Sequence, residues 1–225
     1  MRLARLLVLL VLALALSACG GGDDEGGGDD AASTQATTQA AEGGCDTVAA
    51  PAPKSDGGQT APDQPLEAET TYRLTFATNC GSFTITLDQA SAPETTASLV
   101  ALARDGFYDG TIFHRVVPGF VIQGGDPTGT GTGGPGYSTV DTPPPGSTYT
   151  QGVVAMAKSA TEAPGTSGSQ FFVVTGADIG LPPEYAVVGT VTDGLPSVLA
   201  IEALGVGDAP PSMPVVVEEV TVEEG

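Results

Sequence analysis

The chain has no tryptophan and a single histidine, His114. One imidazole excludes a catalytic histidine pair and any metal site built from several histidines. Basic residues are scarce: 7 Lys and Arg stand against 27 Asp and Glu, a formal charge of −20. This balance argues against a nucleic-acid partner, because phosphate binding needs clustered Lys and Arg to displace counterions. It argues equally against electrostatic docking on anionic lipid. Aromatic residues are 5% of the chain. The apolar run Leu6–Leu16 has 11 residues, where a bilayer span needs about 20. What is abundant is Gly, with 32 residues, and Pro, with 18, a composition of loops, tails and little helix. At 225 residues the chain can hold one domain with its own core and roughly 50 residues of appendage.

Arg2 and Arg5 precede the apolar run, and small residues follow it, the order of a secretory signal. Leu16-Ser17-Ala18-Cys19 resembles the lipobox of bacterial lipoproteins. That resemblance implies cleavage after residue 18, a thioether-linked diacylglycerol on Cys19 and acylation (palmitate or similar) of the new amino terminus. Two lipid signals give stable anchoring, so the expected location is extracytoplasmic, on a bacterial membrane, with membrane contact through the lipid only. The alternative is an ordinary secreted chain with a chance Cys. With Cys19 set aside, Cys45 and Cys80 remain. An even remainder in an exported chain suggests one disulfide, the alternative being two separate thiols. Neither lies in a C-x-x-C, which argues against a redox motif.

Residues 19–44 are Gly, Asp, Ala, Thr and Gln without apolar periodicity, a composition expected to form a flexible tether. Asp23, Asp24, Asp29 and Asp30 read there as solvated charges. Residues 45–70 form a Pro/Gly-rich lead-in, and the domain proper is expected over 71–225. Tyr72, Leu74 and Phe76, then Phe83, Ile85 and Leu87, alternate with polar residues, as in a hairpin turning at Cys80-Gly81. Ser91 is a candidate helix cap, with Pro93 in the first turn, a stripe of Leu99, Leu102 and Ala103, and Gly106 as the stop. Strand-like segments follow at 111–117, 119–124, 152–157, 169–175, 186–192 and 215–222, with a second helix over 195–204. Glu218, Glu219, Glu223 and Glu224 read as edge and tail charges. The pattern is mainly β, a barrel or a sandwich.

Three stretches carry the most information: Phe113-His114-Arg115-Val116-Val117-Pro118-Gly119-Phe120-Val121-Ile122-Gln123-Gly124-Gly125-Asp126, then Gly131-Thr132-Gly133-Gly134, then Met156-Ala157-Lys158 with Gly168-Ser169-Gln170-Phe171-Phe172. In this order and spacing the chain from about Thr71 resembles the cyclophilin family of peptidyl-prolyl cis-trans isomerases. The resemblance implies a closed eight-stranded antiparallel barrel capped by two α-helices, acting on proline-containing segments. It places Arg115 at the catalytic arginine position and Gln123 where a glutamine binds the peptide backbone. Phe120, Phe172 and Leu181 fall at pocket-lining positions, and Val121 stands where many relatives carry Met. Ala157 and Lys158 match a segment that pairs with the peptide main chain, although Asn is common in place of Lys158. Gly180 stands where many members have Trp, and Tyr185 where many have His. The loop 158–168 is about three residues longer than the common pattern. Members of this size are usually monomers, and the expectation here is the same.

The chemistry requires little apparatus. An X-Pro amide rotates over a barrier of about 18–20 kcal/mol because rotation breaks resonance. No covalent bond is broken in the net reaction, so no cofactor, metal or nucleophile is expected. A fixed guanidinium near the proline nitrogen would bind the twisted amide, whose lone pair has returned, better than the planar one. An Arg in a strand is otherwise most simply a surface ion pair. The alternative to an isomerase of exported proteins is a proline-peptide-binding or chaperone module with little turnover. Strict alternation would put Phe120 and Gln123 on opposite faces, so one pocket can use both only if the backbone bends near Pro118-Gly119. Gly131–Gly136 formally matches G-x-G-x-x-G, but a dinucleotide site needs a helix after it, and Pro135 with its flanks offers none. His114 is read as structural or solvated, pointing away from the Arg115 face.

Overall fold

The computed structural model describes residues 44–225. The expected leader (1–18), the lipid attachment at Cys19 and the tether up to residue 43 lie outside the described residues. The domain opens with β1 (Tyr72–Thr78) and β2 (Gly81–Leu87), the anticipated hairpin, followed by helix α1 (Pro93–Arg104). Strands β3 (Arg115–Val117), β4 (Val121–Gly124), β5 (Thr139–Val140), β6 (Val153–Met156), β7 (Thr166–Ser167), β8 (Phe171–Val174) and β9 (Val187–Asp193) come next. Helix α2 (Leu195–Glu202) and β10 (Val217–Glu224) complete the chain.

The expected closed barrel needs correction. Eight strands form one antiparallel sheet in the order β10–β1–β2–β9–β6–β8–β4–β3, an open half-barrel that curls through 205°. The end strands β3 and β10 share no ladder. Two isolated bridges stand near the seam instead, Ile112 with Val216 and Val116 with Ala209. The segment between α2 and β10 explains the opening. It carries Pro210, Pro211 and Pro214, which have no N–H to extend a ladder, and Ala209 O takes the Val116 N–H at 3.2 Å.

Strand alternation divides the apolar residues between two clusters. Phe171 and Val173 of β8, Val154 and Met156 of β6, and Ile122 of β4 join the main core with Leu74, Phe76 and Phe83. Their neighbours Phe172, Val174, Ala155 and Val121 form a second cluster on the other face, with Phe120, Leu181 and Tyr185 packed against it. All four residues of β8 are therefore buried, and a strand covered on both sides reads as an unbroken apolar run, here Phe-Phe-Val-Val.

Helix α1 is not capped by Ser91. Ala92 is its first flanking residue and gives no side-chain cap. The Thr95 N–H donates instead to Asp141 Oδ2 at 2.7 Å, a carboxylate delivered from 46 residues downstream. Such a cap satisfies the helix's orphan donors as a local one would, but no local sequence motif announces it.

The lead-in runs over the domain without regular structure. Cys45 pairs with Cys80. Lys54 Nζ donates to the carbonyls of Gly106, Phe107 and Asp109 at 3.0, 2.7 and 3.0 Å. Gly57 N and Gln59 N donate to Gly134 O and Pro135 O, both at 2.9 Å. The disulfide closes a 35-residue separation, for which loop-closure entropy gives about 3–4 kcal/mol. Urea unfolding with and without reductant is expected to differ by about 3 kcal/mol. An unchanged midpoint would show that the strap's main-chain bonds hold it without the covalent link.

Candidate active site

The hairpin β3–β4 is the centre of the site. Arg115 and Gln123 are directly opposed across it, which puts both side chains on one face. Phe120 is not part of β4. It sits in the turn after Gly119, whose φ of +71° favours glycine, and this turn swings the Phe120 ring to the face that Val121 and Gln123 use. The bend that a shared pocket requires is thus supplied at Pro118-Gly119. Glu202 Oε1 accepts the Gly119 N–H at 2.7 Å and ties the turn to the end of α2.

A hollow of about 250 Å³ is lined by Arg115, Phe120, Val121, Gln123, Ala157, Lys158, Phe172, Leu181 and Tyr185. All nine residues singled out for substrate contact or catalysis line this one cavity. The Phe172 and Tyr185 rings meet edge to face at 5.7 Å between centroids, and Tyr185 meets Tyr149 likewise at 6.0 Å. Gly180 does not line the hollow. It turns at φ +63° with open space where a side chain would be.

Arg115 is in an ion pair and yet faces the hollow. Its Nε donates to Asp208 Oδ1 at 2.5 Å, its Nη1 to Gln123 Oε1 at 3.4 Å, and its guanidinium carbon lies 5.7 Å from the Phe120 ring centre. Gln123 Nε2 passes the link to Gln170 Oε1 at 3.2 Å, and Gln170 Nε2 donates to Gly133 O at 2.9 Å. A hydrogen-bonded row therefore runs from Arg115 to the glycine-rich loop.

That loop borders a second, more polar cavity of about 620 Å³, which shares Gln123, Ala157 and Lys158 with the first and includes Asp56 of the lead-in. The element that follows Gly131–Gly136 is strand β5 and not a helix, so the loop does not lead into a helix N-terminus as a dinucleotide site requires. Asp126 organises the loop, accepting from Thr128 N and Oγ1 at 2.7 and 2.9 Å and from Gly131 N at 2.5 Å. Burial pushes the Asp126 carboxyl upward, but the donors of Thr128, Gly133 and Gly131 outweigh it and hold the group below its usual range. A Cβ on Gly133 would lie 2.3 Å from Asp126 Oδ1 and 2.8 Å from Thr128 Cγ2, so a side chain there would displace the pair that organises the loop.

Lys158 departs from the pattern expected at this position, and its charge is held by partners on several sides. Its side chain is 3% exposed, with Nζ 3.1 Å from Glu184 Oε2, 3.2 Å from Glu162 O and over the Tyr185 ring. A buried ammonium needs such partners for its donors. The long loop after it is anchored at its far end, where Gly165 N donates to Glu184 O at 2.8 Å and β7 pairs with β5. His114 is buried rather than solvated, and neither ring nitrogen has a hydrogen-bond partner among the described residues. Burial pushes its pKa down, Asp126 pulls it up and Arg115 pushes it down, for a net lowering.

The sequence profile described as "Cyclophilin type peptidyl-prolyl cis-trans isomerase/CLD" matches residues 73–222. The chain belongs to this family of enzymes. It is 39% identical over 172 residues to "Peptidyl-prolyl cis-trans isomerase A" of Mycobacterium tuberculosis, covering 68% of this chain and 92% of that protein. It is 49% identical over 107 residues to "Peptidyl-prolyl cis-trans isomerase B" of Bacillus subtilis, covering 47% and 72%. Among solved structures, a Cryptosporidium parvum cyclophilin type peptidyl-prolyl cis-trans isomerase superposes with a TM-score of 0.63 at 30% identity, covering 69% of this chain and 99% of that one.

Three groups in this cyclophilin's site escaped the sequence reading. Tyr149, fully buried, donates its hydroxyl to Tyr185 O at 2.8 Å and accepts from Tyr185 N at 3.0 Å, so it fixes the backbone of the pocket wall. Gln170 bridges Gln123 to the glycine-rich loop. Asp208 reaches Arg115 from 93 residues away. Gln170 stands inside a motif and was readable there, whereas Tyr149 and Asp208 stand in Pro/Gly/Ser-rich loops with no local signal.

Proposed function

We propose that this cyclophilin accelerates X-Pro rotation in exported proteins from a lipid-anchored, extracytoplasmic position, with Arg115 as the catalytic residue. One observation supports the mechanistic part: Arg115 lines the same hollow as Phe120, Phe172 and Leu181, with its guanidinium over the Phe120 ring. The ring of proline would fill the Phe120–Phe172–Leu181 pocket. Uncatalysed exchange takes tens to hundreds of seconds, and an acceleration of about a hundred-thousandfold needs about 7 kcal/mol of preferential binding to the twisted state. When the amide twists, its nitrogen regains a lone pair, and an N–H of Arg115 held near it gains a hydrogen bond that the planar amide cannot make.

Gln123 would hold the peptide backbone beside Arg115. The Ala157 N–H already donates to Gln170 O at 2.9 Å, so main-chain pairing with the peptide falls to the Ala157 carbonyl and to Lys158. The anchored location rests on the sequence of residues 1–19, namely the Arg2 and Arg5 start, the Leu6–Leu16 run and the Leu-Ser-Ala-Cys lipobox. The Cys45–Cys80 pair accords with an oxidising compartment.

Exchange NMR on an Ala-Pro-Phe peptide, without a coupling protease, is expected to show catalysis at substoichiometric protein. Saturable peptide binding with no faster exchange would favour the chaperone reading. The anchor is checked separately by the intact mass of protein extracted from membranes, with a Cys19→Ser control that is expected to lose the lipid mass and the membrane association together.

A further inference from the structure

We propose that Asp208 is a positioning residue for Arg115, holding the guanidinium by Nε so that its terminal nitrogens stay at the rim of the proline pocket. This rests on the role given to Arg115 above. An arginine side chain has many rotamers, and catalysis by a fixed charge requires that most be removed before the reaction begins. Three contacts are available for that task. The Gln123 contact is long, at 3.4 Å, and the Phe120 ring has no hydrogen-bond direction to impose. The Asp208 bond joins two charged groups and so is the strongest of the three. It engages only Nε. Nη2 has no hydrogen-bond partner among the described residues, so the end of the fork stays open to a ligand.

Asp208 can orient another group because its own backbone is held. Its neighbour Ala209 accepts the Val116 N–H at 3.2 Å, one residue from Arg115 on the other side. Ser212 N donates to Leu204 O at 2.8 Å, which closes the loop on itself. Gly207, with φ +120°, makes the turn that presents Asp208. A Cβ on Gly205 would lie 2.7 Å from Pro118 Cδ, so the loop starts in direct contact with the turn of the β3–β4 hairpin. The segment between α2 and β10 therefore opens the barrel seam and braces the catalytic hairpin with the same residues.

The competing reading is a plain surface ion pair. Asp208 is 72% exposed and Arg115 30%, so the pair contributes little to stability. That low contribution separates the readings, because a positioning role predicts a loss of rate without a loss of stability. The carboxylate also opposes the positive potential that Arg115 offers. If that effect dominated, removing Asp208 would speed the reaction.

The test compares D208A and D208N with wild type in the full chain, by peptide exchange NMR at several peptide concentrations. D208A is expected to lose about fivefold to tenfold in kcat with KM within twofold and an unchanged urea midpoint. D208N, which keeps an acceptor oxygen, is expected to recover at least half of the loss. The Arg115 Nε–H resonance should be sharp and slowly exchanging in wild type and D208N and lost in D208A, a signature read without any turnover. A wild type that shows this resonance but no catalysis would count against the isomerase mechanism alone. D208A as fast as wild type or faster, a rate loss matched by lost stability, or an unaltered Nε–H resonance would overturn the positioning role.

Discussion

Replacing Arg115 by Ala is expected to slow catalysed exchange about a hundredfold, the loss seen when one donor aimed at developing charge is removed. The argument is one of difference. On the proposed mechanism the pocket formed by Phe120, Phe172 and Leu181 would bind the ring in planar and twisted states alike, and uniform binding does not lower the barrier. The guanidinium would act where the states differ, at the nitrogen that regains its lone pair. Peptide affinity in R115A should therefore fall less than threefold while kcat falls about a hundredfold. Lys at this position would keep the charge but not the planar fork, and R115K should recover only part of the rate. The Arg115–Asp208 pair is exposed, so the urea midpoint should stay in place. Equal exchange rates for wild type and R115A would remove Arg115 from the mechanism and leave an apolar proline receptor.

The site was legible because its residues are bound to short motifs. Arg115, Phe120 and Gln123 lie within nine positions on one hairpin, and Ala157 and Lys158 directly follow β6, which pairs with β8 where Phe172 lies. The first hairpin was legible from its alternation, which its burial follows, and the helices from their start and stop residues, Pro93 with Gly106 and Pro196 with Gly205. The closure of the sheet was not. Whether the edge strands β3 and β10 meet is decided at the seam, where the proline-bearing segment lies, and alternation along single strands carries no information about that. Long-range supports were equally silent. Asp141 capping α1, Tyr149 gripping Tyr185 and Asp208 gripping Arg115 each join residues 36 to 93 positions apart. Ser91 looked like a cap because caps are usually local, and here a distant carboxylate took that place. The resemblance put Phe172 at the pocket and said nothing of Phe171, and the pairing of β8 between β4 and β6 shows that the two serve opposite faces.

That division makes the adjacent phenylalanines a paired test. Phe171 is 2% exposed and lies among Phe76, Tyr108 and Phe113, with ring centres at 5.2, 6.0 and 6.0 Å. The backbone presses on it too, for a Cβ at Gly125 would come within 3.0 Å of its ring. Truncation would leave a cavity walled by rings and main chain that cannot collapse, and F171A is expected to cost about 3–5 kcal/mol. A domain of this kind has only about 5–15 kcal/mol in total, so F171A should be partly unfolded in mild urea. Phe172 is nearly as buried, at 5%, but its ring borders the open hollow. Water can enter the space left by F172A, and the cost should be nearer 1–2 kcal/mol, below the usual range for a closed core. Its KM for a proline peptide should rise about tenfold, the effect of removing one wall of an apolar pocket, whereas the folded fraction of F171A should keep a wild-type KM. Equal destabilisation by the two substitutions, with KM unmoved in F172A, would mean that the second apolar cluster is ordinary core and that proline is gripped elsewhere.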